Sequence, residues 1–250
     1  MQIKTVHDYQ PAADLLSNKV ILVTGAGDGI GRQAALSFAE HGATVILLGR
    51  TVAKLEAVYD EIEQTGGPQP AIIPLDLKGA TAQHYKDMAS TIDNQFGRLD
   101  GVLHNAGILK ILSPFTHIES DDFNDSMQIN VTGPMLMTQA LLPVMQKAPT
   151  ASLVFTSSGV GRKGRAYWGS YAVSKFATEG LAQVIADEYE NTNVRTNVIN
   201  PGATRTAMRA KAYPAEDPKQ LKTPLDLMPT YLYLMGDQST KDNNLCFDAQ

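Results

Sequence analysis

Val20-Ile21-Leu22-Val23-Thr24-Gly25-Ala26-Gly27-Asp28-Gly29-Ile30-Gly31 decides the fold. Five aliphatic or β-branched residues run straight into a glycine-rich turn, and a helical pattern over residues 30–41 follows at once. A short apolar run bounded by glycine reads as a strand buried on both faces. Glycines at such a turn permit positive φ and let a pyrophosphate approach the backbone. The helix start adds unpaired N–H groups and the positive end of its dipole. Gly25, Gly29 and Gly31 are spaced Gly-x-x-x-Gly-x-Gly, which departs from the commoner dinucleotide fingerprint. Gly27, Asp28 and Ile30 complete the loop. The competing reading is a strand-helix turn with no ligand.

Outward from this unit the same alternation continues. Strands are predicted at 44–48, 71–75, 101–104, 152–156, 194–199 and 244–247, and helices at 52–65, 80–96, 121–145, 169–190 and 224–235. Residues 203–223 read as an irregular, proline-containing stretch. Strand-helix alternation implies a parallel sheet covered on both faces. The predicted fold is a single-domain, doubly wound α/β Rossmann fold of about seven strands over residues 1–250, with helices on both faces.

Composition narrows the function. The chain has 250 residues, 43% of them hydrophobic, and a net charge of −5. An acidic protein of this kind is not expected to bind nucleic acid. One cysteine, Cys246, cannot form an internal disulfide, and no metal cluster is indicated. The apolar runs are too short to span a bilayer. The first residues lack the apolar core of a signal peptide. A soluble, cytoplasmic protein without membrane partners is the expectation.

The end of the second predicted strand bears on the choice of nucleotide. Sites for NAD place an acid about 20 residues past the glycines, to bind the ribose 2′-hydroxyl. Gly49-Arg50 stands there instead. An arginine attracts a 2′-phosphate and can bind it bidentately. NADP(H) is therefore favoured over NAD(H), with a solvated Arg50 as the competing reading. Asp28 argues mildly the other way, because a basic residue at its place would strengthen the assignment.

Tyr171-Ala172-Val173-Ser174-Lys175 is the second informative stretch, with Ser158 thirteen residues upstream of the tyrosine. Residues at i and i+4 share a helix face. An ammonium near a phenol favours the phenolate and lowers its pKa. A hydroxyl such as Ser158 could hold a carbonyl oxygen beside that phenol. The set suits proton transfer at an oxygen while another group carries hydride.

Together these motifs resemble the short-chain dehydrogenases/reductases over residues 18 to 249. Residues 24–31 are similar to that family's TGxxxGxG loop. Asp76-Leu77 resembles its adenine-contacting position, and His104-Asn105-Ala106-Gly107 its NNAG motif with histidine replacing the first asparagine. Asn130, Ser158, Tyr171 and Lys175 match its catalytic tetrad. Asn200-Pro201-Gly202, with Thr204 and Thr206 beyond, resembles the segment at the nicotinamide end. A finer resemblance, carried by LDGVLHNAG, SLVFTSS, RTAMRA and FDAQ, is to the YciK-like group of bacterial oxidoreductases.

The resemblance implies that Tyr171 is general acid/base, that Lys175 binds the nicotinamide ribose and lowers the tyrosine pKa, and that Ser158 holds the substrate oxygen. Asn130 would interrupt its helix and hold a water linking Lys175 to solvent. It also implies a homodimer or homotetramer, and a small carbonyl or alcohol as substrate. A non-catalytic nucleotide-binding scaffold and an NAD(H)-preferring dehydrogenase are the alternatives. Arg162-Lys163-Gly164-Arg165, with Arg205, Arg209, Lys211, Lys219 and Lys222, concentrates positive charge near the expected active-site mouth. Such a rim could attract an anionic substrate; solvated loop charges or subunit contacts are the competing reading. His104 has an equally good reading as a packed histidine at a strand end.

Overall fold

Along Val20–Thr24 the side chains divide between two cores: Val20 and Leu22 join one, Ile21 and Val23 the other. Successive residues of a strand face opposite ways, so a strand with helices on both sides must be apolar throughout. The computed structural model describes residues 1–250. Its first half contains β1 (Gln2–Thr5), β2 (Val20–Thr24), α1 (Gly29–Glu40), β3 (Thr44–Gly49), α2 (Val52–Gln64), β4 (Ala71–Pro74), α3 (Ala82–Phe96) and β5 (Gly101–His104). Its second half contains α4 (Ser120–Met127), α5 (Gly133–Met145), β6 (Ala151–Thr156), α6 (Gly169–Glu188), β7 (Val194–Asn200), α7 (Ala207–Ala212), α8 (Met228–Met235) and β8 (Leu245–Asp248).

The strands form one sheet in the order β1-β8-β7-β6-β5-β2-β3-β4, and every neighbouring pair is parallel. One core packs α3, α5 and α6 against the sheet through Tyr85, Ile92, Met137, Leu141 and Ile185. The other packs α1, α2 and α8 through Phe38, Leu55, Ile62, Leu232 and Met235. The winding direction reverses between β2 and β5, and a crevice at the carboxyl ends of the strands opens at such a switch point.

The predicted alternation is present, with three differences. The sheet has eight strands rather than about seven, because β1, largely exposed, pairs with β8 from Gln2 to Thr5. The helix predicted over 121–145 is divided by a π-helical turn at Gln128–Thr132, the interruption expected at Asn130. The stretch at 203–223 is not wholly irregular, since it contains α7, capped by the Thr206 hydroxyl accepting from the Arg209 N–H.

Candidate active site

The reversal of strand order brings the turn after β2 against the turn after β5. Thr24 joins them: its hydroxyl accepts from the N–H groups of Asn105 (3.0 Å) and Ala106 (2.9 Å). Gly25 takes φ +69°, and a Cβ there would lie 3.1 Å from Ala106 Cα. A Cβ on Gly31 would lie 2.3 Å from the Gly25 carbonyl oxygen. The first turn of α1 is thus pressed onto the loop, with its free N–H groups at the loop's mouth. A cleft of about 400 Å³ opens here. A loop of bare backbone facing a helix start suits the diphosphate of a dinucleotide.

Most of the residues singled out in the sequence line this cleft: Gly25, Gly27, Asp28, Gly29, Ile30, Arg50, Asp76, Leu77, Asn105, Ala106, Gly107, Tyr171, Lys175, Pro201 and Thr206. Gly31 lies just behind the loop. Gly202 and Thr204 stand back from the wall. A Cβ on Gly202 would meet the Gln250 side chain at 2.5 Å, and the Thr204 hydroxyl donates to the Pro201 carbonyl at 3.2 Å.

Asn130 sits inside the π-helical turn and is buried. Its Oδ1 accepts from the Ile108 N–H (2.8 Å), while its Nδ2 donates to the Ile108 carbonyl (3.0 Å) and the Ser174 hydroxyl (2.9 Å). The side chain thereby fixes the loop after β5 to α6. Gly107 lies close against both groups: a Cβ there would be 3.2 Å from Asn130 Oδ1 and 3.6 Å from Lys175 Nζ.

Tyr171 and Lys175 lie one turn apart on α6, and both are more than 90% buried. Their electrostatics differ from the expectation. Burial pushes the Tyr171 phenol up to about 12, with the Ser158 hydroxyl pulling the other way by hydrogen bonding. Burial likewise drives the Lys175 ammonium down to about 8, opposed by the charge of Glu179. The Lys175 ammonium donates to the Thr156 carbonyl at 2.8 Å, off the end of β6. The lowered phenol pKa predicted from the i, i+4 spacing is therefore corrected: loss of solvent outweighs the Ser158 hydrogen bond, and the ammonium is turned to the Thr156 carbonyl.

His104 is a packing residue. It is buried, stacks on Phe155 with ring centres 4.7 Å apart, and shares a 2.9 Å hydrogen bond with the Thr138 hydroxyl through Nε2. Burial brings its imidazole down to about 3, so the ring is neutral.

The basic rim is also rearranged. Arg162 turns inward, donating to Asp248 at 3.0 Å and lying 3.4 Å from Glu179, with Cys246 beside it. Glu179 in turn accepts from the Ser157 hydroxyl at 2.7 Å. Arg209 makes a bidentate pair with Glu216 at 2.6 Å for each bond. Arg205 donates to the carbonyls of Pro218 and Leu221. Three of the arginines are thus engaged within the protein, which leaves Lys163, Arg165, Lys211, Lys219 and Lys222 as the cations of this rim. Next to Tyr171 the surface is apolar, where Trp168 packs with Leu109, Leu112, Val160 and Tyr213.

Sequence reasoning missed Lys54, which lines the cleft beside Arg50 and pairs with Asp28 at 2.5 Å. A legible cue existed: a lysine in the first turn of a helix opposes the helix dipole. With that pairing, the Asp28 carboxyl is held below the usual carboxylate range, chiefly by its hydrogen bond from Lys54.

Residues 19–217 match the family model described as short chain dehydrogenase, and the chain belongs to that family. It is 54% identical over 242 residues to the uncharacterized oxidoreductase YciK of Escherichia coli strain K12, covering 97% of this chain and 96% of that protein. It is 32% identical over 196 residues to the 3-oxoacyl-[acyl-carrier-protein] reductase FabG of Thermotoga maritima, covering 78% of each. A short chain dehydrogenase from Escherichia coli CFT073, solved in complex with NADPH, is 54% identical with a TM-score of 0.94, covering 96% of this chain and all of that one. No helix is long and apolar enough to cross a membrane.

Proposed function

We propose that this short-chain dehydrogenase is an NADP(H)-dependent oxidoreductase interconverting a carbonyl and a secondary alcohol, organised as one nucleotide-binding domain. The observation that carries this reading is the convergence of the Gly25–Gly31 loop, Arg50, Tyr171 and Lys175 on one cleft. The NADPH held by a 54% identical relative supports the nucleotide.

The bound nicotinamide supplies or accepts the hydride. The loop amides and the start of α1 hold the pyrophosphate, and Arg50 takes the 2′-phosphate. Asp76 and Leu77 flank the adenine. Asn105, Ala106 and Gly107 form the floor. Pro201, Gly202, Thr204 and Thr206 shape the nicotinamide end, and residues 203–223 cover the substrate. Tyr171 gives its proton to the carbonyl oxygen in reduction and regains it in oxidation. The buried phenol, held up to about 12, carries its proton at neutral pH. Ser158 hydrogen-bonds the same oxygen. Lys175 binds the ribose hydroxyls, and its ammonium must leave the Thr156 carbonyl or share its donors to do so. Asn130 fixes the loop and helix that carry these groups. Val173, Phe176 and Val184, exposed on one face of α6, support a homodimer or homotetramer.

A panel of small carbonyls and alcohols assayed with NADPH and NADH tests the reading. Turnover of at least one pair, faster with the phosphorylated nucleotide, is expected. Binding of NADPH with no turnover across the panel would instead mark a nucleotide-binding scaffold.

A further inference from the structure

An acidic residue in a loop expected to hold a phosphorylated nucleotide calls for an explanation, and Lys54 supplies one. Asp28 Oδ1 accepts from the Gly29 N–H at 2.8 Å, capping α1, and Oδ2 accepts from Lys54 Nζ at 2.5 Å. Both side chains and Arg50 line the same cleft. Lys54 reaches the loop because Gly27 has no side chain: a Cβ there would lie 2.9 Å from Lys54 Cβ. That contact accounts for the extra glycine of the loop. The two charged side chains are 54% and 62% exposed, so water and salt screen their attraction. A pair so weakly held can be opened by a dianion, which attracts an ammonium more strongly than a single carboxylate does.

We infer that Lys54 is a specificity-determining residue for the adenosine 2′-phosphate, acting beside Arg50, and that Asp28 is its resting counter-ion and internal competitor. The inference rests on the NADP(H) reading above. When a 2′-phosphate enters, Lys54 turns from Asp28 to the phosphate. When a nucleotide without that phosphate enters, the Lys54–Asp28 pair stays closed and the loop stays neutral. The loop therefore accepts an acidic residue without repelling the phosphate, and the pair adds to the discrimination that Arg50 provides.

The test is calorimetric binding of adenosine 2′,5′-bisphosphate and of AMP to the intact protein, at low and moderate salt, with no turnover required. Lys54→Met is expected to weaken the bisphosphate about tenfold and AMP less than about twofold, because it removes the ammonium and exposes the Asp28 charge. Asp28→Asn is expected to tighten the bisphosphate and leave AMP unchanged. Asp28→Asn should tighten the bisphosphate more in the Lys54→Met background than in wild type, and that departure from the sum of the single effects is the signature of the shared pair. Equal changes for both ligands, or no change on Lys54→Met, would overturn the inference while the wild type still bound the bisphosphate. A wild type that bound neither ligand would overturn the NADP(H) reading and this inference with it.

Discussion

Lys175 Nζ lies 5.5 Å from the centre of the Tyr171 ring and gives a hydrogen bond to the Thr156 carbonyl rather than to the phenol. Spacing placed the two residues on one helix face, but burial sets their protonation. The first prediction follows from that burial.

Lys175 titrates near 8 in the fold and at 10.5 as an unperturbed lysine. Between those values the unfolded chain binds the extra proton, so stability rises with pH across that window. Below about 8 the fold carries the full penalty of a buried charge. Lys175→Met should therefore gain most over wild type near pH 7, by on the order of 3 kcal/mol, and lose that advantage towards about pH 10. Denaturant melts of the two proteins at both pH values check this. A gap that did not narrow would mean that the ammonium is not desolvated.

Tyr171→Phe keeps the aromatic ring that packs against Trp168 at 5.7 Å between centres and removes only the proton donor. Stability and NADP+ affinity should stay within about twofold of wild type, while turnover falls by at least about 10³. Wild-type rates in the variant would remove Tyr171 from the chemistry.

Gly31→Ala would place a methyl group 2.3 Å from the Gly25 carbonyl oxygen and 2.5 Å from Asn105 Nδ2. We expect a loss of roughly 2–4 kcal/mol and no measurable nucleotide binding. Gly164→Ala is the control, since nothing lies within 4 Å of the added methyl. Thermal melts and nucleotide titrations of the two variants should separate sharply.

Arg162→Met leaves Glu179 and Asp248 without their cation. Unfolding should become easier by about 1–3 kcal/mol, less than for a fully buried pair because Arg162 and Asp248 are partly exposed. The ratio of KM values for matched anionic and neutral ketones should not change. A selective rise in KM for the anion would return Arg162 to the substrate mouth.

The sheet was readable because β2, β3 and β6 are near-continuous apolar runs, which only a strand covered on both faces needs. β1 was not readable: Gln-Ile-Lys-Thr has no apolar face of its own and is a strand only through its pairing with β8. The glycine loop and the α6 pair were local patterns and stood out. Lys54 could be flagged by its place in the first turn of α2, but its role could not, because its partner Asp28 is 26 residues earlier. Arg162 was misplaced at the mouth because its partner Asp248 is 86 residues away. Short-range spacing reveals which groups share a face, while long-range contacts decide which charges are already spoken for.

Asp248 accepts from both Arg162 and Asn200, and the Gln250 amide donates to the carbonyls of Pro201 and Ala203. The turn carrying Arg162 and the 200–203 turn beside the cleft are thus fastened by β8 and the residues just after it. During synthesis the glycine loop, the π-turn and α6 all leave the ribosome before β8 exists to hold Arg162 and the 200–203 turn. The glycine-loop cradle can therefore form before the turns beside it are held, because long-range closures of this kind come late in folding.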